Sequence, residues 1–599
     1  MKTLLVYPPL VYNPTPFLSV PLLVGQLKAE GIDAEGLDLN LEFLIHAFSK
    51  DYIKQSILKS EQMLSQLKEK YPEISSDSEE FGALEIEGKI NILKKEKIEY
   101  FFKNHPKKLE NVYKYIENAI SVMRSKKYFY EPESFYKAFK IINDAFDIIL
   151  LPYSPSQISK CHYLNPLFKN TYSDIKYQTE DKKTNVFIEY FENLIAEGFF
   201  DKYDIIGISI PTLSQMVAGF TLARMLKAKG KKVCLGGNIL TRIEDSIIEN
   251  KDIFNTFCDY ISIGDGEHSL TSLIKHIEGK ISIEEVTGVM YLKNNKVCTH
   301  KPDIVNIKDV KPIDFTGYDL KKYFIPEIVL SIQISKGCYW GKCAFCDFFY
   351  GKPHYSCLSA SKAADFIEHL SKKYKIKYFQ FEDEALSPKF CEEFANEILK
   401  RKLKIKYTSY LRLEKAFDKT LFELMYKSGY LRAFWGYEFA SKRIMKLINK
   451  GIDLDERTRI LKDSDEARIW NHISLMYGFP TETLPEAEET LDFCENNINI
   501  IHSYELARFS LTKHANALKM KEELNLKSVV ENENFAPDLD FTSSGMSENE
   551  MQKLYENYCD YFNSVNKNAI ASQLYFPSYL MLYISKYKKK ALLLTKIKK

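Results

Sequence analysis

The chain has 599 residues, several times the usual domain length, so two to four domains are expected. A composition of 45% hydrophobic and 27% charged residues is that of a soluble protein with a sizeable core. The formal net charge of +2 gives no electrostatic case for nucleic acid as a partner, and no apolar run is long enough for a membrane span. No secretory pattern opens the sequence, and its eleven cysteines lie mostly singly. Together these point to a reducing, cytoplasmic setting rather than a disulfide framework.

In chain order, Leu4–Tyr7 reads as a strand broken by Pro8 and Pro9, Pro21–Glu30 as a helix stopped at Gly31, and Ala34–Leu39 as a second strand. Residues 41–203 then read as a Lys/Glu-rich helical insertion without internal repeats. Strand and helix alternate again from Asp204–Ile210 through Lys232–Gly237 and Asp259–Glu267. Such alternation argues a doubly wound parallel sheet, in which ligands sit beyond the carboxyl ends of the strands. Those ends carry Pro8, Pro9, Ser209, Thr212, Gly236, Gly237, Asn238, Gly264, Asp265, Gly266 and Glu267. The glycines either admit a ligand close to backbone or merely make tight turns, since neither G-x-G-x-x-G nor a Walker sequence is present. Val286–His300 reads as a hairpin, closing a first domain over 1–300.

A Pro-containing linker covers 301–327, and a second series of six strands follows over 328–520: Ile328–Ile334, Tyr378–Phe381, Ile405–Ser409, Ala433–Gly436, Ile473–Tyr477 and Leu506–Ser510. Six βα units fit a partial (βα)6 barrel, with chemistry at the strand C-terminal ends. Residues 521–599 read as a polar, helical C-terminal extension ending in a solvated Lys-rich tail. The fold class is therefore α/β: a Rossmann-like N-terminal sheet with a helical insertion, then a partial TIM-like barrel.

Directly after the first barrel strand, Cys338, Cys343 and Cys346 fall in a C-x4-C-x2-C spacing. Thiolates this dense at a strand end suit a metal or an iron–sulfur cluster. A structural zinc site needs a fourth ligand, for which Asp347 or His354 is at hand, but zinc sites usually pair two C-x2-C units and only one occurs. A cluster held by three thiolates instead leaves one iron open.

With the strand ends that follow, the chain resembles the radical S-adenosylmethionine (SAM) enzymes. Glu382-Asp383-Glu384 resembles their acidic SAM-contacting segment, and Arg412 follows the third strand. Gly436–Ser441, with Glu438, resembles G-x-E-S, and Lys450-Gly451 resembles K-G. Gly478-Phe479-Pro480-Thr481-Glu482-Thr483 resembles G-F-P-G-E-T near adenine, with Thr481 in place of the second Gly. The family spacing is commonly C-x3-C-x2-C, so Lys342 is an extra residue, expected to bulge the loop without removing a ligand. Together with the N-terminal sheet, the chain is similar to the cobalamin (B12)-binding class of these enzymes over about 1–40 and 204–545. The loop after the first strand has no His, the first being His46, so cobalt ligation by that loop is not expected.

The resemblance implies a [4Fe-4S] cluster on Cys338, Cys343 and Cys346, SAM on its open iron, and cobalamin on the N-terminal strand ends. SAM contacts would come from Phe345, Glu382, Asp383, Glu384, Arg412, Glu438, Gly478, Phe479 and Pro480. Reductive cleavage of SAM would give a 5′-deoxyadenosyl radical, and methylcobalamin would methylate an unactivated carbon of a small-molecule or peptide substrate. No side-chain acid or base is required beyond the cofactor ligands. A reductase donor such as flavodoxin or ferredoxin would supply electrons. A cobalamin-containing rearrangement or cyclisation enzyme, and a non-catalytic zinc- or cobalamin-binding regulator, are the alternatives.

Overall fold

The computed structural model describes residues 1–159, 162–347, 355–566 and 576–593. Seven strands form the N-terminal sheet: β1 (Lys2–Tyr7), β2 (Asp33–Asp38), β3 (Ile205–Ser209), β4 (Lys232–Gly236), β5 (Tyr260–Ser262), β6 (Val289–Lys293) and β7 (Lys296–Thr299). Their spatial order is β2-β1-β3-β4-β5-β6-β7, parallel as far as β5. β6 and β7 add antiparallel, so the expected hairpin extends this sheet. The two-residue turn works because Asn294 and Asn295 both tolerate positive φ, 50° and 60°. Both faces are covered. Leu5 and Tyr7 pack with the helix Ser19–Ala29, while Leu4 and Val6 join the core of the helical insertion. The order reverses between β1 and β3, placing a switch-point crevice at their carboxyl ends.

The second sheet is β8 (Val329–Ile332), β9 (Tyr378–Phe381), β10 (Lys406–Leu411), β11 (Tyr430–Glu438), β12 (Trp470–Tyr477) and β13 (Ser503–Arg508). All six are parallel and neighbour one another in chain order, leaving β8 and β13 as open edges of a partial barrel. Helices such as Pro388–Lys400, which starts on a Ser387 cap with Pro at its first position, cover the outside. Ile332, Phe381, Trp435 and Ile473 point outward into that helix layer.

The C-terminal region is largely helical, as read from sequence, but it is less polar than that reading and also contains strands. Three short strands, Leu511–Thr512, Val529–Val530 and Asp538–Phe541, form a small sheet before the helix Glu548–Asn566. The helix Pro577–Tyr587 is then buried along Tyr579–Ile584, in one core with Phe129 and Phe135 of the insertion. Tyr583 donates to the Phe129 carbonyl at 2.7 Å, and Tyr579 to the Phe324 carbonyl at 2.8 Å. Aromatic and aliphatic side chains on all sides of this helix make solvation unfavourable, whatever the lysines flanking it suggest. Lys589 binds the Asp465 carbonyl at 2.7 Å, and the rest of the Lys-rich tail, 594–599, lies outside the described residues. Among the described residues no helix is long and apolar enough to cross a membrane.

Candidate functional site

The cysteine loop leaves β8 through Ser335 and Lys336, which pair antiparallel with Ser356–Cys357 and so close the loop at its base. Within it Cys343 is buried, while Cys338 and Cys346 are half-buried. The loop is tied down by the Ala344 amide donating to the Ile448 carbonyl at 2.8 Å and by Ala517 donating to the Ala344 carbonyl at 2.8 Å. Gly341 takes a φ of 65° in the longer Cys338–Cys343 segment, and Trp340 turns out to donate Nε1–H to the Asn449 carbonyl at 2.8 Å. Its indole lies where a Cβ on Gly451 would be, 2.0 Å from the ring, so the K-G position must be glycine.

Residues from the ends of two other strands, β10 and β11, converge on this loop. The Arg412 guanidinium sits 4.6 Å over the Trp340 ring, donating to Glu414 at 3.0 Å and to the Lys450 carbonyl at 2.6 Å. Lys450 donates to Glu438 at 2.6 Å, and its ammonium lies 5.6 Å from the Phe345 ring centre. Arg412, Glu438 and Lys450 are all buried. Glu438 holds a φ of 63°, a left-handed conformation that a glutamate adopts only when its surroundings impose it. Burial pushes the Cys343 thiol up, while Lys450 and Arg412 pull it back; the balance stays above the ordinary thiol range. Three thiols beside two cations are a donor set suited to an anionic iron–sulfur cluster. Among the described residues no three His, Cys, Asp or Glu side chains are pre-arranged as a metal site. Of the fourth ligands considered for zinc, Asp347 is held by Arg242 (Nε at 3.1 Å), and His354 lies outside the described residues.

The three acidic residues after β9 diverge. Asp383 is fully buried and its Oδ1 accepts from the Ile334 amide (3.0 Å), the Ser335 amide (2.6 Å) and the Ser335 hydroxyl (2.5 Å), pinning the base of the cysteine loop. Burial, above all, raises its carboxyl to about 7. Glu382 points into the barrel, accepting from Ser331 at 2.7 Å and Gln380 at 2.9 Å, and Glu384 lies beside Asp383. In the 478–483 segment Phe479 packs with Phe439 and Phe509 in the small core that also holds Ala344. Gly478 has a φ of 78°, Pro480 is buried, and Glu482 caps the turn by accepting from the Gly478 amide at 2.6 Å. Burial raises Glu482 to about 8.

A cavity of about 530 Å³ opens between the two sheets. On the N-terminal side it is lined by Ser209, Gly236, Gly237, Asn238, Gly264, Asp265, Gly266 and Glu267. On the barrel side it meets Ser331, Gln380 and Glu382, and Phe576–Ser578 close one end. Pro8, Pro9 and Thr212 are not among its lining: the Pro8 carbonyl accepts from Gln215 at 2.6 Å, and Thr212 bonds Ser214 at 3.0 Å. Gly237 (φ 116°) and Gly264 (φ 74°) are required by backbone conformation alone, which is the tight-turn reading. Gly236 is different: a Cβ there would only touch Ser262 at 3.5 Å, so its contribution is open space on the cavity wall, as a large flat ligand needs.

Sequence reasoning missed Lys336. It is buried two residues before Cys338 and crosses the cavity to Glu267 (2.6 Å) and Asp265 (3.3 Å). The two carboxylates read as ligand contacts are thus partnered from the barrel. Only a pairing across 69 residues of sequence reveals this. Arg242 and Trp340 were likewise unmarked.

Residues 332–494 match the family model of the radical SAM superfamily. Over 302 residues, 49% of this chain and 64% of that protein, the chain is 26% identical to an uncharacterised methyltransferase of Pyrococcus horikoshii. It is 23% identical to the 4'-phospho-dehydrooxetanocin synthase of Priestia megaterium over 51% of this chain and 44% of the synthase. It spans less than two thirds of either relative's length. Among solved structures its fold is similar to the cobalamin-dependent SAM radical enzyme OxsB with aqua-cobalamin and SAM bound (TM-score 0.52, 16% identity, 67% of this chain and 65% of that one). It is also similar to the radical SAM methyltransferase TsrM of Kitasatospora setae with cobalamin and a [4Fe-4S] cluster (TM-score 0.51, 12% identity, 87% and 75%).

Proposed function

We propose a function for a chain that carries a radical SAM domain at residues 332–494 and shares its two-sheet architecture with cobalamin-dependent radical SAM enzymes: it is a cobalamin-dependent radical SAM methyltransferase acting on an unactivated carbon. The observation that carries this is the shared cavity, walled on one side by the glycine-bearing strand ends and on the other by the barrel interior beneath the cysteine loop. When bound, a [4Fe-4S] cluster with SAM supplies a 5′-deoxyadenosyl radical, and methylcobalamin supplies the methyl group.

The chain's own residues position and seal. Cys338, Cys343 and Cys346 would hold the cluster, with Arg412 and Lys450 offsetting its charge. The buried Glu438–Lys450 pair and the nearby Phe345 ring would partner the charged and planar ends of SAM. The backbone at Gly236–Asn238 and Gly264–Gly266 would face the corrin. Phe479, buried on the cysteine side, would exclude water there. A reductase such as flavodoxin or ferredoxin would deliver the electron.

Anaerobic reconstitution with iron, sulfide and cobalamin tests the reading. Bound cobalamin, 5′-deoxyadenosine from SAM under reductant, and transfer of label from methyl-labelled SAM to product are expected. Removing Cys338, Cys343 or Cys346 should abolish the first product without releasing cobalamin. Zinc in place of iron, with no SAM turnover, would sink the proposal, and 5′-deoxyadenosine without labelled product would move it to a rearrangement or cyclisation.

A further inference from the structure

The stretch that bears the three thiols is fastened differently at its middle and at its ends. Its middle is held by the barrel and the C-terminal region: Ala344 bonds Ile448 and Ala517, and Tyr339 donates to Glu414 at 2.7 Å. Its two ends are held from the other sheet. Lys336, two residues before Cys338, is 4% exposed and bonds Glu267 at 2.6 Å and Asp265 at 3.3 Å. Asp347, directly after Cys346, accepts from Arg242 Nε at 3.1 Å.

Both anchors rest on segments that wall the cavity. Arg242 ends the short helix Asn238–Arg242 after β4, in which Asn238 and Thr241 line the cavity. Asp265 and Glu267 follow β5 and line it too, as does Lys336 itself. The two segments are joined to each other, since the Gly264 amide donates to the Thr241 hydroxyl at 3.0 Å. They form one patch of wall, so a ligand lying on it bears on both at once. Parting Lys336 from Glu267 would leave a buried charge uncompensated, so the root of the cysteine stretch follows the wall when the wall moves.

We propose that Lys336 and Arg242 are positioning residues, through which the occupant of the cavity fixes the cysteine stretch, so that cobalamin and the cluster bind cooperatively. This rests on the functional reading above and deepens it by naming how its two cofactors act on one another. With the cavity empty, wall and stretch are free to shift together. A bound corrin removes that freedom, and the thiols start closer to the geometry that a cluster requires. Linkage makes the effect reciprocal: the factor by which cobalamin favours cluster binding is the factor by which the cluster favours cobalamin.

The test reads the thiols of the full chain before cluster assembly, so no turnover is needed. Anaerobic iodoacetamide labelling of Cys338, Cys343 and Cys346 is followed by peptide mass spectrometry, with and without saturating aquacobalamin, whose binding absorbance reads separately. Cys298, half-buried on β7 and outside the cavity lining, is the reference. Cobalamin should slow labelling of Cys338 and Cys346 by about fivefold or more and leave Cys298 unchanged. Lys336→Met should erase the effect at Cys338, and Arg242→Gln the effect at Cys346, with cobalamin still bound. The half-buried Arg242 keeps the test decisive if Lys336→Met does not fold. Unchanged labelling in wild type with cobalamin bound overturns the proposal. So does equal slowing in wild type and variants, which would mean that the corrin merely covers the thiols. A chain that takes up no cobalamin refutes the functional reading, and the coupling falls with it; bound cobalamin without an effect on the thiols refutes the coupling alone.

Discussion

Replacing Asp383 by Asn should make the protein more stable at pH 8, against the usual expectation for a buried carboxylate with three hydrogen bonds. All three donors, the Ile334 and Ser335 amides and the Ser335 hydroxyl, serve Oδ1, while Oδ2 is buried without a partner. Burial dominates and raises the carboxyl from 3.8 to about 7. The folded pKa exceeds the unfolded one, so between these values the unfolded chain has released a proton that the folded chain retains. Stability from this group is therefore complete below pH 3.8 and is lost as pH rises to 7. At about 1.4 kcal/mol for each pH unit the loss approaches about 4 kcal/mol, an upper bound. Asn keeps an acceptor at Oδ1 and carries no charge, so it removes most of this deficit. Chemical unfolding of wild type and Asp383→Asn at pH 5 and pH 8.5 measures it. The variant should gain on the order of 2 kcal/mol or more relative to wild type between the two pH values. A variant that loses ground at pH 8.5 would mean that the carboxylate is ionised and compensated, and that its link to the cysteine loop is electrostatic.

Lys336→Met leaves the buried Glu267 and the half-buried Asp265 without their cation, and removing one partner from a buried pair costs about 3–5 kcal/mol; a fall in unfolding midpoint together with weaker cobalamin retention is expected, whereas an unchanged midpoint would show water reaching the carboxylates. Thr481 carries a φ of 70°, which a β-branched residue adopts only under strain. Thr481→Gly should stabilise by about 1 kcal/mol, the relief exceeding the loss of the exposed Arg443–Thr481 hydroxyl bond at 3.0 Å. Scanning fluorimetry decides it, and a lower midpoint would place the strain elsewhere.

Much of the architecture was legible because buried parallel strands are continuous apolar runs. Tyr378–Phe381 coincides with its strand, and Gly429, whose φ of 110° lets Ile405 approach, punctuates the turn before β11. The resemblance at successive strand ends likewise located Arg412, Glu438 and Lys450-Gly451 around one loop. What sequence did not disclose is which carboxylate does what. Glu382, Asp383 and Glu384 are adjacent in the chain, yet strand alternation sends Glu382 into the barrel while Asp383 turns back onto Ile334 and Ser335. The helix Pro577–Tyr587 was misjudged for a similar reason: its burial is set by Phe129 and Phe135, more than 400 positions earlier, and not by the lysines beside it.

The cysteine loop is bracketed by two contacts with the other sheet. Lys336, just before the first cysteine, binds the segment after β5, and Asp347, just after the last, is held by Arg242 from the segment after β4. Both N-terminal segments carry the glycines that face the cavity. A displacement of either segment, as when a large ligand enters beside Gly236 or Gly264, must therefore pull on one end of the stretch that bears all three thiols. Between these anchors the loop is held at its middle by Ala344 and Trp340, through residues 448–451 of the barrel. The thiols thus take their position from both sheets at once, and the longer Cys338–Cys343 segment is the one that carries Trp340 onto Asn449 and Gly451.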